Sequence, residues 1–193
     1  EIGSGLVGSE MCIRDRFNPE TGEFVRAYGG QGYTEGSSWT RGQGWGVYGF
    51  MISYIHTGKQ EYFDTAKRIA HYIMANITDS GIIPVDFRQP KEPAWEDSCA
   101  ACVIANGLIE IAKHVPELEK DMYIRAAVKI LKAIDKTRAN WGTDCDSIVL
   151  NCTGAYHSPD HHFTMVYADF YFIEAVLTVS YTHLRAHETG AYL

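Results

Sequence analysis

No apolar run in this 193-residue sequence is long enough to cross a bilayer, and there is no net positive charge: 24 acidic residues face 17 basic ones, for a formal charge of −7. The first absence excludes a helix that spans a membrane. The second disfavours a nucleic acid or an anionic membrane surface as the main partner, although a local basic site for an acidic small molecule remains compatible with it. Cysteine is scarce, with five in the chain. Cys99 and Cys102 have redox-motif spacing, yet the sequel Val-Ile-Ala-Asn-Gly-Leu-Ile continues an apolar helix, so buried free thiols are expected. Paired metal-ligand spacing is missing as well. Asp144, Asp146, His157, Asp160, His161 and His162 gather in one irregular stretch without ligands a helical turn apart, which reads as a solvated loop or a pocket rim. No metal is assigned.

What the chain does have is helical periodicity. After a turn signal at Asn18-Pro19-Glu20-Thr21-Gly22, flanked by short strand, helices are expected over about 40–56, 60–77, 97–114, 117–137 and 165–177. The first is apolar on all sides, through Val47, Tyr48, Phe50, Met51, Ile52, Tyr54 and Ile55. The second carries one stripe (Tyr62, Ala66, Ile69, Ile73, Ile77) against a charged face. The third is small and apolar again, through Ala101, Ile104, Ala105, Leu108 and Ile111. The fourth has the stripe Tyr123, Ala127, Ile130, Leu131 and Ile134, and the fifth is mostly apolar. Buried and amphipathic helices therefore alternate, which fits two concentric layers of helix hairpins better than a four-helix bundle. Between them a short extended run is expected over 82–87, where Pro84, Pro90 and Pro93 keep the region out of helix, and a short strand is expected at 147–150.

The stretch richest in chemistry is Ser37 to Phe50, Ser-Ser-Trp-Thr-Arg-Gly-Gln-Gly-Trp-Gly-Val-Tyr-Gly-Phe. Trp39 and Trp45 offer flat faces suited to sugar rings. Arg41 offers a planar fork for a carboxylate. Gln43 both donates and accepts, as a ring of hydroxyls requires. Together they describe a pocket for an acidic sugar; the plainer reading is two core tryptophans and an arginine serving a neighbouring helix. Glycosidic chemistry calls for positioned carboxylates, for which Asp86, Asp97, Asp144, Asp146 and Asp169 are the candidates. Asp97 reads rather as a helix cap, and Asp169 as a buried hydrogen-bonding group.

The motif Ser37-x-Trp39-x-Arg41-Gly42-Gln43-x-Trp45-x-x-Tyr48-Gly49-Phe50 resembles one of glycoside hydrolase family 88, the unsaturated glucuronyl hydrolases. Asn18–Gly22, Gln31-Gly32-Tyr33, Pro84–Phe87, Asp97–Ala101 and Tyr167–Ala175 are similar to further segments of that family, in the same order. The resemblance implies an all-α fold, about half of a six-hairpin (α/α)6 barrel. It implies a parent enzyme that removes a 4,5-unsaturated uronic acid from the non-reducing end of lyase-generated oligosaccharides by hydrating the ring double bond, with no metal or organic cofactor. Gln31, Trp39, Arg41, Gln43 and Trp45 are the substrate-binding residues it implies. None of the candidate carboxylates matches the family's catalytic aspartates, whose pair would lie upstream of Phe17, so the chain by itself is expected to be inactive. Where the family often has a histidine before Gln-Gly-Tyr, this chain has Gly30. An unsaturated rhamnogalacturonyl hydrolase and a non-catalytic carbohydrate-binding helical protein are the alternatives. The cytoplasm is the compartment the resemblance implies, with the periplasm also open.

Both ends read differently from the middle. Val179–Leu184 can be encoded by GTCTCTTATACACATCT, whose reverse complement encodes Met-Cys-Ile-Arg-Asp, the sequence of Met11–Asp15. The element resembles a transposon end used to build sequencing libraries. Residues 1–16 and 178–193 are accordingly expected to be translated adapter, flanking a glycoside hydrolase portion at 17–177. The first sixteen residues carry no targeting signature.

Overall fold

The structure, a computed structural model, describes residues 15–27 and 30–190, with side chains for 18–25 and 30–180. The expectations for residues 1–14, 28–29 and 191–193 lie outside these. A hairpin of β1 (Asp15–Phe17) and β2 (Phe24–Ala27) closes around the Asn18–Gly22 turn, where Asn18 Oδ1 accepts from Glu20 N at 2.8 Å. Five helices follow: α1 (Thr40–Thr57), α2 (Gln60–Asn76), α3 (Ser98–His114), α4 (Glu117–Thr137) and α5 (Val166–Gly190). β1 and α5 both run across the limits expected at residues 16 and 177. The strand expected at 147–150 is reduced to a single bridge, Ala139 with Val149.

Local chemistry sets the helix limits. Gly58 ends α1 in the left-handed conformation at φ 68°, with its N–H on Tyr54 O at 2.8 Å. Asp97 caps α3 by accepting from Cys99 N. Pro116 occupies the N-cap of α4, with Glu117 and Glu119 in the first turn and Lys136 in the last, matching the helix dipole.

The helices form two layers. α1, α3 and α5 lie side by side with α3 in the middle, while α2 packs back on α1 and α4 on α3. From Cys99 to Ile109 every apolar side chain of α3 is fully buried. The stripes of the outer helices bury as their period requires: Ala66, Ile69 and Ile73 on α2, and Tyr123, Ala127, Ile130, Leu131 and Ile134 on α4.

α1 and α3 approach closely because glycines face their partners. A Cβ on Gly107 would sit 2.4 Å from Val47 Cγ1, and one on Gly44 would sit 3.3 Å from Ile104 and Val103. α3 is tied to α5 by Asn106 Nδ2, which donates to Tyr171 O at 2.7 Å. Two apolar helices are covered less than their composition suggests. α1 is buried over its first half, but Ile55 near its end is exposed, and α5 presents Val166, Phe170, Ile173 and Leu177 to solvent.

Candidate functional site

The first turns of the three inner helices meet at one end of the layer, and the functional side chains gather there. Arg41 is the second residue of α1, Asp97 caps α3 and Tyr167 is the second residue of α5. Arg41 Nε donates to Asp97 Oδ2 and Nη2 to Asp97 Oδ1, both at 2.8 Å, a bidentate pair with both residues buried. Nη2 also donates to Thr153 O at 2.7 Å, and Nη1 to the Tyr167 hydroxyl at 2.8 Å. Burial works against the guanidinium charge, but the adjoining Asp97 carboxylate outweighs it and holds Arg41 above its ordinary pKa. Asp97 Oδ1 accepts in addition from Cys99 N and Thr153 N. The fork expected to face a sugar carboxylate is thus filled from within the protein.

The other residues expected at the site flank this pair. Trp39 precedes α1 and pairs by a single bridge with Asp86. Its indole lies against Gly42, and its buried Nε1 has no hydrogen-bond partner among the described residues. Gln43 is also buried, and its Oε1 is likewise without a partner among them. Trp45 is half-buried, edge-on to Tyr171 at 5.4 Å between ring centroids and tilted to Tyr167 at 6.3 Å. Gln31 is exposed; its Nε2 donates to Gly154 O at 3.2 Å, and its carbonyl accepts from Tyr156 N at 2.9 Å.

A second buried carboxylate shapes the approach to α1. Asp86 is fully buried, with no cationic side chain bonded to it among the described residues. Its Oδ2 accepts from Ser37 Oγ at 2.6 Å and Tyr33 N at 3.0 Å, and its Oδ1 from Ser38 N at 2.9 Å and Arg88 N at 2.8 Å. Four donors take the place of water around the charge. Gly32 is required here, since a Cβ would lie 2.7 Å from Asp86 Oδ2.

Aromatic and imidazole rings form the rim. Tyr33 meets Tyr156 edge-on at 4.9 Å, and His157 Nε2 donates to Tyr33 O at 2.7 Å. Trp95 stacks on His161 at 4.0 Å, with His162 edge-on at 5.6 Å. His161 Nε2 donates to Tyr156 O at 3.0 Å. Because the partners of His157 and His161 are carbonyls, both rings carry the proton on Nε2. Next to Trp95, Glu96 receives Arg138 at 2.6 and 2.8 Å and the Asn151 amide. Burial would raise the Glu96 pKa, but the bonds from Arg138 and Asn151 prevail and it lies below the ordinary value.

Among the candidate carboxylates, Asp86 and Asp97 are saturated as described. Asp169 is half-buried and accepts from Ser147 Oγ, Ile148 N and Val149 N at 2.7–3.0 Å. Asp144 and Asp146 are exposed. Among the described residues no three His, Cys, Asp or Glu side chains are grouped to hold a metal ion. Cys99, Cys102 and Cys152 are buried free thiols beside the Arg41–Asp97 pair, and burial, helped by Asp97, pushes Cys152 up to about 12.

Sequence reasoning missed Tyr167, Thr153, Trp95 and Tyr156 as members of this site. A signal existed for one of them. Tyr167 holds the same place in α5 as Arg41 holds in α1, so equivalent positions of successive inner helices would have found it. Thr153 contributes a backbone carbonyl, which leaves no mark on residue type.

No family model matches the chain. An unsaturated glucuronyl hydrolase of Bacillus sp. (strain GL1) is 36% identical over 169 residues, covering 83% of this chain and 44% of that protein. An unsaturated chondroitin disaccharide hydrolase of Streptococcus pneumoniae is 30% identical over 167 residues, covering 83% and 42%. A solved UGL variant with dGlcA-Glc-Rha-Glc superposes with a TM-score of 0.78 at 32% identity, over 84% of this chain and 45% of that one. The chain therefore spans less than half the length of the relatives it matches, and its two helix layers are part of an α/α barrel. The Trp-Arg-Gln-Trp motif, the convergent helix starts and these similarities together make the chain a homologue of the unsaturated glucuronyl hydrolases of glycoside hydrolase family 88.

Proposed function

We propose that the protein to which this chain belongs removes a 4,5-unsaturated uronic acid from the non-reducing end of oligosaccharides released by a polysaccharide lyase. The observation that carries the reading is the similarity to unsaturated glucuronyl and chondroitin disaccharide hydrolases over four-fifths of the chain, including the aromatic motif at the start of α1. Water adds across the ring double bond, with the proton going to C4 and the hydroxyl to C5. The resulting hemiketal opens to a keto sugar and releases the neighbouring residue. No redox partner or metal is needed for the balance.

In this reading the chain supplies the walls of the site, and the aspartates that move the proton belong to the part of such an enzyme that the chain does not span. Trp39 and Trp45 shape the pocket, Gln31 and Gln43 meet hydroxyls, and Arg41 supplies positive charge beside the uronate. Three helix N-termini directed at one point add favourable potential for an anion. The cytoplasm is the proposed compartment, in keeping with the unpaired thiols. The test is the ultraviolet absorbance of an unsaturated glucuronyl disaccharide, which hydration abolishes. The full-length enzyme bleaches it, whereas the chain alone binds the sugar without bleaching. A full-length enzyme that leaves the absorbance intact refutes the proposal.

A further inference from the structure

The guanidinium of Arg41 is nearly used up. Asp97 takes the Nε–Nη2 edge, Thr153 O takes the second Nη2 hydrogen and the Tyr167 oxygen takes one of the two on Nη1. Arg41 has no bidentate face left, and it is 3% exposed. Tyr167 is the opposite case. The residue is 38% exposed, and its oxygen already accepts from a cation. The phenolic hydrogen has no acceptor among the described residues. A hydroxyl that accepts from a guanidinium is a stronger donor in its turn, because each bond of such a chain polarises the next. Tyr167 also sits in the first turn of α5, beside Trp45 and the first turn of α1, where the helix dipoles favour negative charge.

We infer that the Tyr167 hydroxyl, at the exposed end of the relay Asp97–Arg41–Tyr167, makes the direct hydrogen bond to the carboxylate of the acidic sugar, with Arg41 as the positioning residue behind it. The inference rests on the proposed function and adds a ligand-contacting residue to it. It also changes what the arginine does. Arg41 lends its charge through a phenol instead of touching the ligand, and Asp97 keeps the guanidinium from turning towards it.

The test measures binding of an unsaturated glucuronyl disaccharide and of its carboxyl-reduced form to the 193-residue chain by titration calorimetry. Tyr167→Phe removes one oxygen from a partly exposed ring. It is expected to weaken the acidic ligand about tenfold, as for loss of one hydrogen bond to a charged group, and to leave the carboxyl-reduced ligand unchanged. Arg41→Lys weakens the acidic ligand too, and combining it with Tyr167→Phe adds little, since both act through one bond. Should Tyr167→Phe fail to fold, 3-fluorotyrosine at 167 serves in its place: a stronger donor, it tightens the acidic ligand alone. Equal affinity of Tyr167→Phe for the acidic ligand overturns the inference and leaves the functional reading standing. Equal loss for both ligands also overturns it, since Tyr167 would then act only on the shape of the site. If the unaltered chain binds neither ligand, the inference is overturned, while the functional reading stands or falls with the bleaching by the full-length enzyme.

Discussion

Helices α3 and α5 are both apolar inner helices, yet they live in different surroundings. α3 has neighbours on every side, and all its apolar side chains from Cys99 to Ile109 are out of water. α5 packs mainly on α3 and leaves Val166, Phe170, Ile173 and Leu177, one stripe at helical spacing, facing solvent. An apolar stripe of this size on a helix is a surface waiting for a partner. The difference teaches that apolar composition records which faces a sequence is made to bury, and not which of them this length of chain covers.

The largest effect that would sharpen this contrast is at the cap of α3. Asp97→Ala strands the buried Arg41 charge and removes the cap, so a loss of about 3–5 kcal/mol is expected, read from the urea midpoint. A loss below about 1 kcal/mol would show that the pair is open to water in solution.

Next comes the matched pair Leu108→Ala on α3 and Phe170→Ala on α5. The first is expected to cost about 2–5 kcal/mol through the cavity it leaves, the second about 0.5 kcal/mol or less because its side chain is largely exposed. Equal costs would break the comparison. Gly107→Ala brings a methyl group into Val47 and is expected to cost about 1–3 kcal/mol by overpacking.

Smaller again is the effect of the α5 stripe on association. The 193-residue chain is expected to self-associate in sedimentation velocity, and Phe170→Glu with Ile173→Glu to shift it towards monomer at nearly unchanged stability. A monomeric unaltered chain contradicts this.

The smallest effect concerns pH. The folded Glu96 pKa lies below its ordinary value, so its contribution is present above the ordinary carboxylate range and is lost as pH falls through the lowered value. Glu96→Gln is expected to flatten that acid limb of the stability profile, leaving the neutral region to reflect only the lost ion pair. An unchanged acid limb would remove Glu96 from the account.

The five helices and their alternation were legible because each rests on local pattern. Gly58 ends α1, Pro116 opens α4, and the stripes on α2 and α4 repeat at the helical period. The site was legible in its residue types and less so in their partners. Arg41 was recognised as a carboxylate-binding fork, and Asp97 as a cap, but nothing in either stretch says that the two pair across 56 residues. Asp86 was weighed as an acid, whereas its burial against four donors depends on a fold that brings 33–38 onto 84–88. Long-range pairing of polar groups has no period, so only the assembled chain displays it. Which apolar face stays uncovered, as on α5, is displayed by the assembled chain for the same reason, since neighbours are a property of the assembly.

The buried thiols have one more consequence. Cys99, Cys102 and Cys152 lie on the Asp97 side of the Arg41–Asp97 pair, are closed to solvent and are held protonated well above neutral pH, whereas Cys145 stands on an exposed loop. Alkylating reagents meet the last at once and the other three only when the helix starts part. The site therefore carries its own stopwatch, with Cys145 marking time zero and the slow cysteines counting each opening.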